Sequence, residues 1–473
     1  MNKFIRKQKI SLLLIILLFL TISPLWAVPE DRDEGFTPSI FSVESIESVD
    51  ETGEKVVRLD LDQAVSLATA NNPDIKIAEV RIDQAMANYY KVRAGMNIKL
   101  NLSGSYTRID PVNVAKFQMD PNKPAQSIKL GDENNFAGRA TLEKVITTFG
   151  RLEYAMAAAA LQVAVMEGNH EAVRQEIILQ TKEAYFRALQ ARGMARIARE
   201  KLDIVNQQNR ITQNLFDAGV VPRFEVLKAE LAVSQTRQQV ITFRKRAQLA
   251  DSALLNLIFL DQSTSIILEN PEELHMVDAN LELAQAMALE KRPEVKALLL
   301  SYKAVEYLLE SARRGQNPML LFTSTAENKT ISGFNSNPNT FTQMLVLSIP
   351  LSDGGETAAS IQKTRAELEE LEQNLHKLYQ GLQLQVKEAV LTIREVEARL
   401  KASRQDVKTA SEGYSIARTR YENGLSTSLE LNDALRSLNE SKINLLVTEN
   451  EYRIAVAKLE RATATAWKEV AEK

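Results

Sequence analysis

The chain has 473 residues, 25% of them charged, a formal net charge of −3 and no cysteine. Without thiols there are no disulfides, no thiolate metal sites and no cysteine to carry a lipid of the bacterial lipoprotein kind. The slightly acidic balance argues against a nucleic-acid partner, which would need a basic face.

At the N-terminus Lys3, Arg6, Lys7 and Lys9 precede an apolar run from Ile10 to Ile22, and Pro24-Leu-Trp-Ala27 offers a small residue for cleavage. Residues 1–27 read as a secretory signal peptide that is removed on export. The competing reading, a membrane anchor, is weaker because the run falls short of the ~20 residues that span a bilayer. Cleavage would remove four basic residues and no acidic one, taking the formal charge from −3 to −7. No later stretch qualifies as a membrane helix. Residues 28–57 are acidic and poor in helix signals, as in Ser42-Val-Glu-Ser-Ile-Glu-Ser48, and are expected to form an exposed, flexible leader.

A first repeat is expected over 58–262. It opens with a helix from near Leu61 that contains Asn72-Pro73-Asp74. From Asn97 to Tyr106 apolar and polar residues alternate with period two, the pattern of a half-buried strand. A loop with Pro111, Pro121, Pro124 and Gly131 follows, then a weaker strand over Asn135 to Leu142. No proline occurs from Arg151 to Phe216, so one helix of roughly 100 Å is expected at 1.5 Å per residue. It ends at Phe216-Asp-Ala-Gly219. A seam then follows in steps of three and four: Val226, Ala229, Val233, Thr236, Val240, Phe243, Ala247, Ala250, Leu254 and Leu257.

After a linker at 263–280 the same order returns over 281–467, before a tail at 468–473. A helix near Leu283 contains Arg292-Pro293-Glu294, strands are expected at Met319 to Thr325 and Phe341 to Ile349, and a proline-free helix runs from Glu356 to Tyr421. Its turn, Tyr421-Glu-Asn-Gly424, aligns with the first at an offset of 205 without a gap. The seam also returns, with Leu431, Ala434, Leu438, Ser441, Leu445, Thr448, Tyr452, Ala455, Leu459 and Ala462 at the matching positions. Such self-similarity marks an internal duplication. The ascending helices carry seams too: Ala184, Ala188, Ala191, Ala195, Ala198, Leu202, Val205 and Phe216 in the first copy, and Leu368 to Leu382 then Val386 to Tyr421 in the second. Between Leu382 and Val386 the step of four is doubled, a stutter that locally unwinds a left-handed supercoil.

Strands of about ten residues suit a tilted crossing of an outer membrane, although a pair of soluble hairpins capping a coiled coil has the same period. Four strands cannot stand alone in lipid, because unpaired edge groups cost several kcal/mol each. Closure therefore requires other chains, and a dimer's eight strands would leave a lumen nearly filled by side chains, which favours a trimer. His170, His275 and His376 lie far apart and in no metal-ligand spacing, and neither a phosphate loop nor a nucleophile motif appears. The chain reads as a non-enzyme without a cofactor.

From about Leu59 to Trp467 the chain resembles the TolC-like outer-membrane efflux family. The resemblance rests on the signal peptide, the duplicated helix-strand-strand-helix-turn-helix units, Thr148-Phe149-Gly150 and Leu351-Ser-Asp-Gly354 at the strand-to-helix junctions, and the Phe/Tyr-x-x-Gly tips. It implies a mixed α and β membrane protein. Long antiparallel coiled-coil helices would form an α-barrel tunnel through the periplasm, and two β-hairpins per chain would give four strands to a trimeric, twelve-stranded outer-membrane β-barrel. A periplasmic adaptor (membrane fusion) protein and an inner-membrane pump or ABC transporter are the partners implied, with outer-membrane lipid around the barrel.

Beside the tip glycines, Val220 and Leu425 read as a small apolar contact suited to docking another hairpin end-on. Carried over by position, the resemblance implies that Phe216, Gly219, Tyr421 and Gly424 form adaptor-docking tips. It implies that Glu430 and Asp433 ring the periplasmic entrance, and that Glu225 and Tyr421 belong to the network that holds it shut. The family's second-copy arginine is absent because Ser426 takes its place, and Arg223 is the substitute from the other tip. Two plainer readings stand beside these: each tip glycine terminates a helix, and Thr427 with Glu430 forms a capping box. The competing class for the whole chain is a secreted periplasmic coiled-coil spacer or tether without a pore.

Overall fold

The computed structural model describes residues 47–49, 55–118, 126–270, 274–330 and 337–467. The expected signal peptide, most of the leader and the C-terminal tail lie outside these residues. Two compact units divide at Val57. In the first, β1 (Glu47–Val49) pairs antiparallel with β2 (Lys55–Leu59), Ser48 lying opposite Val56. Val57 is buried, so the last residues of the leader are ordered strand, not flexible chain. The run Val56-Val57-Arg58-Leu59 has the β-branched pattern of a strand, which the acidic composition around it obscures.

The second unit begins at Arg58. Its first elements are α1 (Leu61–Asn71) and α2 (Pro73–Arg93), and the single helix expected here is broken between them. A residue before proline is driven out of the helical region. Asn72 accordingly sits at ψ 124, and its side chain accepts the Asp74 N–H at 2.8 Å to cap the new helix. Then come β3 (Lys99–Arg108), β4 (Val114–Phe117), β5 (Gln126–Lys129) and β6 (Asn134–Thr147). The β4–β5 hairpin lies within the proline-containing loop, where no strand was expected. Two long helices follow, α3 (Arg151–Asp217) and α4 (Arg223–Leu257), then β7 (Ser265–Leu268).

The second copy gives α5 (Leu281–Lys291) and α6 (Pro293–Arg313), broken before Pro293 for the same reason, β8 (Met319–Lys329) and β9 (Asn339–Ser348). It closes with α7 (Glu356–Glu422) and α8 (Ser428–Thr463). Each ascending helix, α3 and α7, has 67 residues, a length of about 100 Å. Strands β3, β6, β8 and β9 form one antiparallel sheet in that order, with β3 and β9 at its edges. The strand expected at Asn135 to Leu142 runs on to Thr147, with a shift of register between Val145 and Thr147.

Every seam position from Val226 to Leu257 and from Leu431 to Ala462 is buried or half-buried. Helix α3 differs from its expected single stripe. Ile177, Tyr185 and Ile197 are buried there as well, because α3 packs against α2, α4, α6 and α8 and so buries more than one face. About midway along α7, Val386, Val390 and Ile393 meet Ala284 and Ala288 of α5 and Tyr452 and Leu459 of α8 in one core cluster. The expected linker joins this core through Val277, whose N–H donates to the Tyr452 hydroxyl at 2.8 Å.

Beside it lies a charged network. Arg292, in the break between α5 and α6, donates to Glu294 at 3.0 Å, and Arg461 of α8 donates to the same carboxylate at 2.5 Å. Burial pushes Glu294 up, but the bonds from Arg292 and Arg461 outweigh it and hold the carboxyl at about 2. Its folded value is depressed, so the stability it contributes is complete above the ordinary carboxylate value near 4.5 and is lost as pH falls toward about 2. Glu294→Gln leaves two nearly buried guanidinium groups without this counter-ion. It is expected to cost on the order of 3–5 kcal/mol, read as a lower thermal unfolding midpoint at neutral pH.

Candidate functional site

Two regions of the second unit carry features that a self-contained fold does not need: the sheet and the hairpin tips. In the sheet, strand register sorts the side chains onto two faces. Leu100 lies opposite Leu142, Leu102 opposite Ala140 and Tyr106 opposite Phe136, and across β8 and β9 Ala326 lies opposite Phe341 and Phe322 opposite Leu345. This face is apolar and largely exposed, with Leu102 at 82%. The other face carries Asn101 with Thr141, Thr141 with Thr325, and Arg139 with Glu327, whose side chains form an ion pair at 3.1 Å. An apolar outer face backed by a polar one is the pattern of a strand between lipid and a water-filled lumen. No helix among the described residues is long and apolar enough to cross a membrane.

At the far ends of α3 and α7 the chain turns through Gly219 and Gly424, at φ +75 and +72. Both turns close the same way. The Gly219 N–H donates to Phe216 O and the Val220 N–H to Leu215 O, each at 2.8 Å. The Gly424 N–H donates to Tyr421 O at 2.9 Å and the Leu425 N–H to Arg420 O at 2.8 Å. These are paired Schellman bonds, in which the left-handed residue is glycine because a Cβ there would be strained. The residues just beyond point into solvent: Val220 is 60% and Leu425 70% exposed. Sequence reasoning missed Phe224 and Leu429, which are also exposed and fall on each other at the same offset of 205.

The expected latch residues are arranged differently from the sequence reading. Tyr421 is 4% exposed, and its hydroxyl meets Thr212 Oγ1 of α3 at 3.0 Å, joining the two ascending helices. Glu225 does not touch it. Its carboxylate accepts from Ser428 Oγ of α8 at 2.5 Å and from Lys228 Nζ at 3.0 Å. The Ser428 bond, with help from Lys228, holds its carboxyl below the usual range. Arg223 is exposed and has no hydrogen bond or ion pair among the described residues of this chain. One turn farther from the tips Gln208 Nε2 donates to Asn432 Oδ1 at 3.2 Å. Thr212, Ser428, Gln208 and Asn432 went unnoticed in the sequence because single polar residues crossing between helices have no period.

Glu430 and Asp433 are both exposed on α8. Thr427 Oγ1 accepts the Glu430 N–H at 3.3 Å, but the Glu430 side chain does not return the bond, so only half a capping box forms. Asp433 pairs with Arg436 at 3.5 Å, whereas Glu430 has no ion pair among the described residues.

An open sheet, apolar on one exposed face and continued by paired helical hairpins of this length, is the fold of outer-membrane efflux channels. The chain belongs to the outer membrane efflux protein family, whose profile matches residues 64–258 and 284–465. It is 22% identical over 423 residues to the outer membrane protein OprJ of Pseudomonas aeruginosa, covering 88% of this chain and 86% of that one. The alkaline protease secretion protein AprF of the same species is 24% identical over 291 residues, 60% of each chain. Among solved structures, the outer membrane protein VceC of Vibrio cholerae superposes with a TM-score of 0.72 at 17% identity, covering 86% of this chain and 96% of that one.

The Thr212–Tyr421 contact can be separated from general packing. Thr212→Val strands a buried tyrosine hydroxyl and is expected to cost about 1–3 kcal/mol, while adding Tyr421→Phe should return most of it. Thermal unfolding of the parent, both single variants and the double variant completes the cycle; additive losses would show that the hydroxyls do not interact.

Proposed function

We propose that this chain is one of three identical subunits of an outer-membrane export channel, the exit duct of a tripartite efflux or secretion system. The observation that carries this reading is the four-stranded sheet whose edges, β3 and β9, are unpaired and whose apolar face is exposed. Three copies bring twelve strands, enough for a barrel with an aqueous lumen, whereas eight would be filled by side chains. The polar face with Arg139 and Glu327 would line that lumen. Exposed apolar residues on the helices, Leu227, Leu231 and Ile241 of α4 and Leu384 and Leu391 of α7, supply further surface for neighbouring copies. Removal of the signal peptide would precede assembly, and the hairpins would extend into the periplasm.

At the tips Phe216, Gly219, Val220, Gly424 and Leu425, with Phe224 and Leu429 beside them, would meet a periplasmic adaptor that connects to an inner-membrane pump. The shut state would depend on Tyr421 with Thr212 and on Glu225 with Ser428. Detergent extraction and cross-linking in native membranes test the assembly: the chain should fractionate with outer membranes and cross-link to no more than three copies. A predominant dimer, or release into plain buffer, would overturn the reading in favour of a spacer.

Glu430 and Asp433 would set six carboxylates around the entrance under threefold symmetry. Two such charges about 8 Å apart interact by roughly 0.5 kcal/mol in water before screening, enough to bias ions but not to open a tunnel. Because Arg436 offsets Asp433, Glu430→Gln should weaken cation preference more than Asp433→Asn does. Single-channel reversal potentials in a salt gradient read this directly; equal and negligible shifts would leave both residues as helix-end charges.

A further inference from the structure

Beside the charged network of Arg292, Glu294 and Arg461, helices α3, α6 and α7 leave an open cleft of about 730 Å³ between them. Its floor is apolar, formed by Val165 of α3, Leu298 of α6 and Leu378 and Leu382 of α7. Around that floor stand Asn169, Ser301, Asn374 and Lys377. Each of these side chains is a donor, and none has a hydrogen bond or ion pair among the described residues. The Arg292 guanidinium, 7% exposed, is held by Glu294 at 3.0 Å and by Gln385 Oε1 at 2.5 Å. Since Gln385 accepts through its oxygen, its amide nitrogen is one more donor. Glu294 is already shared between Arg292 and Arg461, so no carboxylate of the cleft is left to offset Lys377.

On α7 the cleft is open at Gly381, where a Cβ would meet nothing within 4 Å. Glycine weakens a helix interior, and no neighbour in this chain needs the space it leaves. The direction of the opening follows from helix geometry. Val386, Val390 and Ile393 turn toward α5 and the linker in the core cluster. At about 100° per residue, Lys377 and Gly381 fall on the other side of α7. Helix α5 is a second layer over α7 and α8, and a tunnel has room for such a layer only on its outside. The cleft therefore opens on the inner side of the helical wall.

We propose that this cleft is a binding subsite on the tunnel wall for amphipathic organic anions, a carboxylate or sulfonate carried on an apolar body. The inference rests on the channel reading, which places three such clefts around one lumen. Lys377 and the donors beside it would take the anionic group while the apolar part covers Leu298, Leu378 and Leu382. The chemistry of the lining selects this class. A cation is repelled by Lys377, a neutral apolar molecule would bury donors without partners, and a wholly polar anion gains nothing from the leucines. The volume suits one molecule of drug size. A duct also needs such a site to release what it gathers, and an open cleft with a single uncompensated charge does so.

The full chain, reconstituted in lipid nanodiscs and dialysed to equilibrium against naphthalene-2-sulfonate, supplies the first arm of the test. Saturable binding is expected, with naphthalen-2-ylmethylammonium, a similar ring of opposite charge, at least tenfold weaker. Lys377→Gln should weaken sulfonate binding at least fivefold. Gly381→Leu, which fills the cleft and favours the helix, should abolish it. Lys401→Gln, at an exposed lysine elsewhere on α7, is the control and should bind as the parent does. No saturable binding in the parent, or equal binding in the parent, Lys377→Gln and Gly381→Leu, would overturn the inference. Single-channel recordings then separate it from the channel reading. The sulfonate should reduce the parent's conductance at concentrations that leave Lys377→Gln unaffected. Binding that depends on Lys377 but leaves the current untouched would put the cleft outside the conducting path and overturn the subsite while the channel stands. A parent that passes no current would bring down both.

Discussion

Unpaired backbone groups along β3 and β9 govern much of the architecture. In water such edges are tolerable, but in hydrocarbon each unsatisfied N–H or C=O costs several kcal/mol, so only a closed ladder is stable there. Closure by further copies, as proposed above, would bear on the long helices as well. Helix α3 starts at Arg151, after β6 ends at Thr147, and α7 starts at Glu356, after β9 ends at Ser348. With so few residues between strand and helix, the circle on which the strands would close sets the circle on which the long helices would stand. In the proposed assembly an outer-membrane requirement would thereby be converted into a tunnel about as long as a 67-residue helix.

Along the long helices the contact between the two hairpins of one chain changes in kind. From mid-length downward α3 and α8 are joined by Glu176 with Arg461, Lys182 with Glu460, Glu183 with Lys458 and Glu200 with Lys442. Below Glu200 the α3–α8 contact passes to Gln208 with Asn432, and nearer the tips the helices meet through Thr212 with Tyr421 and Ser428 with Glu225. The more exposed pairs of this ladder, Glu183 with Lys458 and Glu200 with Lys442, contribute about 0–1 kcal/mol each, whereas Arg461 and the Lys182–Glu460 pair are largely buried and belong to the packed middle of the helices. The tip contacts have buried apolar residues of their own beside them, among them Val226, Leu431 and Leu435, with the hydrogen bonds crossing between the hairpins at their edge.

Much of this was legible in the residues, for a physical reason. The seams at Val226 to Leu257 and Leu431 to Ala462 show because one buried face repeats every three or four residues, and the strands at Leu100 and Phe341 show because one face repeats every two. What lacked a period was lost. Tyr185 of α3 is buried on a second face, its hydroxyl shared between the carbonyls of Leu59 and Glu269 at 3.0 and 2.7 Å, which no single stripe predicts. The partners within one chain were not legible either: resemblance placed Tyr421 and Glu225 in one network without naming what each touches, and the geometry gives Tyr421 to Thr212 and Glu225 to Ser428. A hydrogen bond between residues two hundred positions apart leaves no mark on either neighbourhood.

The duplication clarifies why those side chains differ while the backbone does not. Glu225 and Glu430 occupy the same position of the two repeats, each in the first turn of a descending helix, where a carboxylate is favoured by the helix dipole. Glu225 is drawn into the contact with Ser428, which stands where the first copy has Arg223; Glu430 remains free in solvent. A carboxylate in the first turn suits the helix dipole in both copies, and one of the two is committed to joining the hairpins while the other is left exposed at the tip. At the opposite end the same division holds for Phe149 and Gly354, one left-handed position filled once by a side chain and once by none. A repeated backbone thus supplies two equivalent places, and the residues that break the repeat are the ones whose presence the fold itself does not require.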